Sequence, residues 1–189
     1  MGNLAILDFL NTRPVQNGQP LELLPGFDAV LRWFAAAGLL SAREISKLRH
    51  DWSKAERSVH FVARLIDFRE RLRTAVMAWE QRGNVSKTFV AELNQLLHAH
   101  PMLTRLGADG TAKDLWFPAQ EPEDLFAPLA HGASELFSGQ DHTRVRKCGQ
   151  CVLHFLDISK KGTRRWCSMR LCGNRLKVAA YAKRRAGQF

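Results

Sequence analysis

A chain of 189 residues, 46% of them apolar, is long enough for one mid-sized domain and a small second one. Its formal charge is +10, no apolar run approaches the ~20 residues of a membrane span, and residues 1–8 meet an acid before any basic segment. Those features argue against a membrane protein and a secretory precursor, and a cytoplasmic protein is expected; Met1-Gly2 opens like a myristoylation site, but Ile6 stands where that motif needs a hydroxyl.

In chain order, Ile6, Leu7 and Leu10 fit one face of a short helix, with a strand as the alternative. Residues 11–25, with Pro14, Gly18, Pro20 and Pro25, read as a loop. Phe27, Val30, Leu31 and Phe34 recur at helical spacing, and Gly38 is a natural stop. Ser41-Ala42-Arg43-Glu44 is a capping box that opens another helix. A long helix is predicted over about residues 56–82, with Val59, Val62, Ile66, Val76 and Trp79 inward and Gly83 after it. Ser86 starts the next, which carries Phe89, Leu93, Leu96 and Leu97 and stops before Pro101.

The pattern then changes. Residues 102–106 and 113–117 flank Gly107-Ala108-Asp109-Gly110 and predict a β-hairpin. Pro122-Glu123-Asp124 opens a helix carrying Leu125, Phe126, Leu129, Ala133, Leu136 and Phe137. Residues 138–141 make a linker. The predicted class is α+β, mainly α, with a helical domain over 1–139 and a small C-terminal module over 142–189.

The module holds every cysteine of the chain: Cys148, Cys151, Cys167 and Cys172. Four soft ligands within twenty-five residues predict one tetrahedral Zn²⁺ site; two disulfides are the alternative, disfavoured because nothing upstream suggests export. A redox C-x-x-C would need a βαβ setting, which the pattern lacks. His142 and His154 lie close enough in sequence to replace a cysteine. Cys148-Gly149-Gln150-Cys151 makes a tight knuckle; residues 152–158 and 163–167 are predicted to pair as strands around a turn at 159–162. The four-residue gap before Cys172 places that ligand in the first turn of a helix over residues 175–185, giving a treble-clef-like finger. So small a module lacks a sufficient core, and metal contributes on the order of 10 kcal/mol to its folding. Four thiolates leave no open coordination position, so the metal is structural.

Charge is concentrated in the same place. From Arg144 onward there are thirteen Lys or Arg and one acid, Asp157, a net +12; residues 1–143 carry −2. A Zn(Cys)₄ centre is formally about −2 and offsets only a few of these cations. The rest point to a polyanionic partner, most often nucleic acid.

Arg164-Arg165-Trp166-Cys167-Ser168-Met169 followed by Cys172-Gly173-Asn174-Arg175-Leu176-Lys177 resembles the signature of the CGNR zinc-finger family. Leu7-Asp8-Phe9-Leu10-Asn11-Thr12 resembles the opening of the helical ABATE domain that precedes this finger in that family. The likeness spans nearly the whole chain; His154, where a larger apolar residue is expected, departs from it. The resemblance implies a stress-response transcription regulator whose finger binds DNA and whose larger domain senses a ligand.

Residue chemistry agrees with that implication in outline. Arg164, Arg165, Arg175, Lys177, Lys183, Arg184 and Arg185 are candidates for phosphate or guanine. Asn174 suits an adenine edge or a helix cap, and Trp166 a base stack or the packing of the hairpin. Asp8, Asn11, Thr12, Arg69, Arg73 and Trp116 are candidate contacts for a small-molecule effector. Double-stranded DNA is the expected partner, with RNA or an acidic protein as alternatives; no heptad seam announces a dimer, and no catalytic motif is present.

Overall fold

Twenty-seven residues, Glu56–Arg82, form one helix, α4, which stops where Gly83 enters the left-handed region at φ 70° and donates to the Trp79 carbonyl. Phe61, Leu65, Phe68, Leu72 and Val76 recur three or four residues apart along it and are fully buried. Val59, predicted inward, is 69% exposed. It lies two residues from Phe61, about 200° around the helix, so the buried arc set by the larger phenylalanine leaves it in solvent. Ile66, one residue from Leu65, is only half-buried.

The computed structural model describes residues 2–16, 18–111 and 113–174, and the chain divides into two compact units. The helical unit spans residues 23–140. Its α2 (Phe27–Ala36) contributes Val30, Leu31 and Phe34 to the core. Its α3 (Ala42–Trp52) begins at the predicted capping box, with the Ser41 hydroxyl accepting from the Glu44 N–H and the Glu44 carboxylate accepting from the Ser41 N–H. Its α5 (Lys87–Ala99) is capped by Ser86 and buries Phe89 and Leu93. A turn of 3₁₀ helix at Pro122–Leu125 leads into α6 (Phe126–Gly139). Phe126 is the keystone aromatic: its ring meets the edges of Phe61 at 5.4 Å and Phe68 at 5.9 Å. Each such side chain stabilises the unit by about 1.5–3 kcal/mol through burial. Between α5 and α6, β3 (Leu103–Leu106) pairs antiparallel with β4 (Lys113–Trp116), with Leu103 opposite Trp116, as the turn chemistry predicted. The class is α+β and dominated by helix.

The second unit joins the first 22 residues to those from Asp141 onward. The helical reading of the N-terminus holds: α1 (Ala5–Leu10) buries Ile6, Leu7, Phe9 and Leu10. The loop that follows contains a minimal pairing of Val15–Gln16 (β1) with Gln19–Pro20 (β2) around Gly18 at φ 78°. In the C-terminal part, β5 (Val145–Lys147) pairs antiparallel with β6 (His154–Leu156). This corrects the predicted hairpin. β6 pairs with the strand before the first cysteine pair, and residues 163–167 form no strand. The return segment instead makes isolated bonds, such as Gly149 N–H to the Arg165 carbonyl at 3.1 Å.

The far edge of β6 is occupied by the N-terminal segment. Asn11 is buried, and its amide bonds both backbone groups of His154: Nδ2 donates to the carbonyl at 2.8 Å and Oδ1 accepts from the N–H at 2.8 Å. Two residues on, the Leu156 N–H donates to the Gly2 carbonyl at 2.9 Å and its carbonyl accepts from Asn3 Nδ2 at 2.9 Å. A side chain and a tight turn thus stand in for a third strand, which buried backbone groups require. The compact units therefore cut across the stretches 1–139 and 142–189.

Candidate metal centre

Cys148 and Cys151 sit on the turn between β5 and β6, which the Cys148 N–H closes by donating to the Leu153 carbonyl at 2.8 Å. Cys167 ends the return segment. Cys172 lies in one wide helical turn, Met169–Gly173, where its N–H and that of Gly173 both reach the Ser168 carbonyl, at 2.9 and 3.1 Å. Trp166 is wedged between two glycines. A Cβ at Gly149 would stand 3.0 Å from its ring, and one at Gly173 would stand 2.7 Å from Met169 Sδ and 3.4 Å from the indole. A larger residue at Gly149 would press on the indole and one at Gly173 would displace the exposed Met169 side chain; Trp166 itself is half-buried against the cysteine cluster and Phe155.

All four sulfurs lie within 4.8 Å of one another. Cys151, Cys167 and Cys172 form a triangle with edges of 3.6, 3.6 and 3.7 Å. Zn–S bonds of about 2.3 Å in a tetrahedron place sulfurs about 3.8 Å apart, so the triangle is one face of a zinc-sized tetrahedron. No cysteine is in a disulfide, and the cluster contains neither His142 nor His154. The donor set fits one structural Zn²⁺.

The thiols explain why a cation is needed. Burial opposes ionisation of Cys148, but N–H groups of Cys167, Gln150 and Cys151 outweigh it and draw the thiol down to about 7. Burial, together with the Cys148 and Cys172 thiols, pushes Cys151 up to about 11. Burial and the adjoining Cys151 and Cys172 sulfurs push Cys167 further up. Without metal, then, Cys151 and Cys167 hold their protons at neutral pH; a divalent ion reverses the sign of the local field and expels them. Four thiols become thiolates and only Cys148 is partly ionised beforehand, so loading zinc into the metal-free protein at pH 7 is expected to release roughly three to four protons per ion. Calorimetry in buffers of different ionisation enthalpy measures that number, and it should fall as pH rises and the free thiols ionise on their own.

Asp157, the single acid among thirteen C-terminal cations, is buried immediately after β6. Burial pushes its carboxyl up, but the hydroxyl and N–H of Ser159, the N–H of Arg164 and the nearby Arg146 charge hold it below the usual range. Its oxygens accept from Ser159 N–H at 2.9 Å and Arg164 N–H at 2.8 Å, which fixes the turn before the return segment. Arg164, predicted as a nucleic-acid contact, has its guanidinium engaged inside the module. It donates to the Trp166 carbonyl at 2.8 Å and to the Cys167 carbonyl, and lies 4.6 Å from the Phe155 ring centroid. Arg165 is exposed and rests over the Trp166 ring at 5.5 Å; Asn174 is also exposed. Arg175, Lys177, Lys183, Arg184 and Arg185 lie outside the described residues.

The candidate effector contacts divide between the units. In the metal-bearing unit, Asp8 Oδ1 accepts from Gly2 N–H at 2.7 Å, the Thr12 hydroxyl donates to the Phe9 carbonyl at 2.7 Å, and Asn11 holds β6. In the helical unit, Arg69 is fully buried and shares Glu70 with Arg73, at 3.0 and 3.2 Å. Trp116 ends β4, with Arg105 5.9 Å from its ring centroid. Sequence reasoning missed the roles of Asp157, Gly2 and Asn3, and it gave Gly149 to the knuckle turn and Gly173 to the family signature without their packing against Trp166 and Met169. Of the three missed, Asp157 carried a signal, as a lone acid in a basic run.

Residues 3–140 match the ABATE family model, described as "Putative stress-induced transcription regulator", and residues 144–185 match that of the CGNR zinc finger. A search of the curated proteins found no match. No helix among the described residues is long and apolar enough to cross a membrane. With residues 3–140 matched by the one model and four sulfurs gathered within 4.8 Å at the finger's own cysteines, this protein belongs to the ABATE family and carries a C-terminal CGNR zinc finger.

Proposed function

We propose that this protein is a cytoplasmic, effector- or stress-responsive regulator that binds double-stranded DNA through the metal-folded unit. The observation that carries this reading is the +12 charge from Arg144 onward, in the same stretch of sequence as the four-cysteine centre, against −2 for the rest of the chain. Lys147, Lys160, Lys161, Arg165 and Arg170 are exposed on the described part of that stretch and add to the candidates named from sequence. Lysines supply charge to phosphates, whereas Arg165, braced on Trp166, presents a fork suited to phosphate or a guanine edge. Arg164, a half-buried candidate, also braces the module through its bonds to the Trp166 and Cys167 carbonyls. The family's description as a regulator supports the same partner class.

Duplex binding by the zinc-loaded protein should weaken with salt, with a log–log slope near −3.6 if about four phosphates are neutralised. Replacing Arg170 by Glu should reduce that slope by about one. Flat binding between low and moderate salt would remove DNA from the reading. Preference for structured RNA over duplex in competition would favour an RNA-binding finger, which uses the same charges.

A further inference from the structure

We propose that the helical unit binds a small apolar carboxylate in the groove between the β3–β4 hairpin and the turn joining α2 to α3. This names the chemistry of the effector in the function proposed above, and rests on that reading only for its regulatory meaning. The groove has a volume of about 380 Å³, within the usual range of small-molecule clefts. Leu39, Leu40, Met102, Trp116 and Phe117 line it, so its walls are aliphatic and aromatic. The hairpin above it is a two-stranded sheet with every residue of β3 in solvent, and Leu115 is 53% and Trp116 36% exposed. Large apolar side chains left open beside a concave surface gain free energy when an apolar body covers them.

Charge selects the head group. Among the described residues, two ionisable ones line the groove, Glu44 and Arg105. Glu44 is engaged at the start of α3, its Oε2 accepting from the Ser41 N–H at 2.7 Å and hydroxyl at 2.6 Å. Of these two, Arg105 is the cation that can meet a ligand. Its ion-pair neighbour is Asp114 across the hairpin, 3.9 Å away and, like Arg105, more than half exposed, which is a weak and solvent-screened contact. An anion on a ligand lying against Trp116 would meet a guanidinium 5.9 Å from that ring's centroid. The grooves along α4 and α5 differ: Arg71 spans them in a bidentate pair with Glu92, at 2.8 and 3.0 Å from Nε, so charge there is already matched.

The test titrates the full-length zinc-loaded protein with octanoate and with octanol, following tryptophan fluorescence and calorimetric heat, with no DNA present. Saturable one-to-one octanoate binding is expected, about tenfold tighter than octanol, as a charge-assisted contact implies. Arg105→Glu should erase the preference for the acid, and Trp116→Ala should weaken both ligands. Circular dichroism checks that each variant is folded, and Arg105 is exposed enough for its replacement to be tolerated. Absence of saturable binding, or an octanoate preference that survives Arg105→Glu, overturns the proposal. Either result leaves DNA binding by the metal-bearing unit to stand or fall on its own salt titration.

Discussion

Replacing Cys172 by Ser is expected to unfold the C-terminal part of the metal-bearing unit while the helical unit stays folded. Three of the four sulfurs form a triangle with edges of 3.6–3.7 Å, and Cys172 is one corner. Losing it leaves three thiolates around a cation that needs four donors, and the buried core there, around Phe155 and Trp166, is small. Metal binding supplies on the order of 10 kcal/mol to folding in modules of this size, more than such a core replaces. A chelator of high zinc affinity should have the same effect on the native protein. Release of zinc to a colorimetric indicator, measured beside far-ultraviolet circular dichroism, checks both. Retained helix signal with full zinc loss is the expected pair of results, because α2 to α6 build their core from Phe61, Phe68 and Phe126 without metal. A variant that keeps stoichiometric zinc would refute the four-sulfur centre.

The second large effect is expected at Asn11, about 140 residues away in sequence from the strand it holds. Asn11→Ala removes both partners of the His154 backbone and leaves a buried N–H and carbonyl unsatisfied, at about 1–3 kcal/mol each. Asn11→Asp is a sharper test. One carboxylate oxygen still accepts from the N–H, but the other faces the His154 carbonyl, where a donor is needed. Both variants should lose zinc to a chelator faster than wild type and lower the unfolding transition of the metal-bearing unit. Asn11 was named from sequence as an effector contact. A purely ligand-contacting asparagine would leave zinc retention unchanged, so the chelator assay separates the two roles. The match of residues 3–140 to one family model begins inside this strap, which binds the opening of the helical domain's own sequence to the finger's fold.

Local sequence determined the elements whose stabilising contacts are themselves local. The capping box at Ser41, the stops at Gly38 and Gly83 and the three- and four-residue spacing of Phe126, Leu129, Ala133 and Leu136 in α6 each act between neighbouring helical turns. Cysteine spacing announced the metal for a similar reason: four thiolates close together in sequence have few alternatives to sharing an ion. Val59 shows the limit, since periodicity defines an arc but not which of several overlapping arcs the neighbouring helices cover.

Tertiary structure alone decided the partner of β6, the engagement of Arg164 and the place of the N-terminal segment. A strand's hydrogen-bonding edges are blind to sequence distance, and the amide of Asn11 reaches His154 only after the chain has travelled through the helical unit and back. Arg164 reads as a free cation in a basic run, yet the folded knuckle presents it with two carbonyls and an aromatic face. Such roles depend on geometry created by folding, because a backbone carbonyl or an uncovered edge has no residue type by which the sequence could announce it.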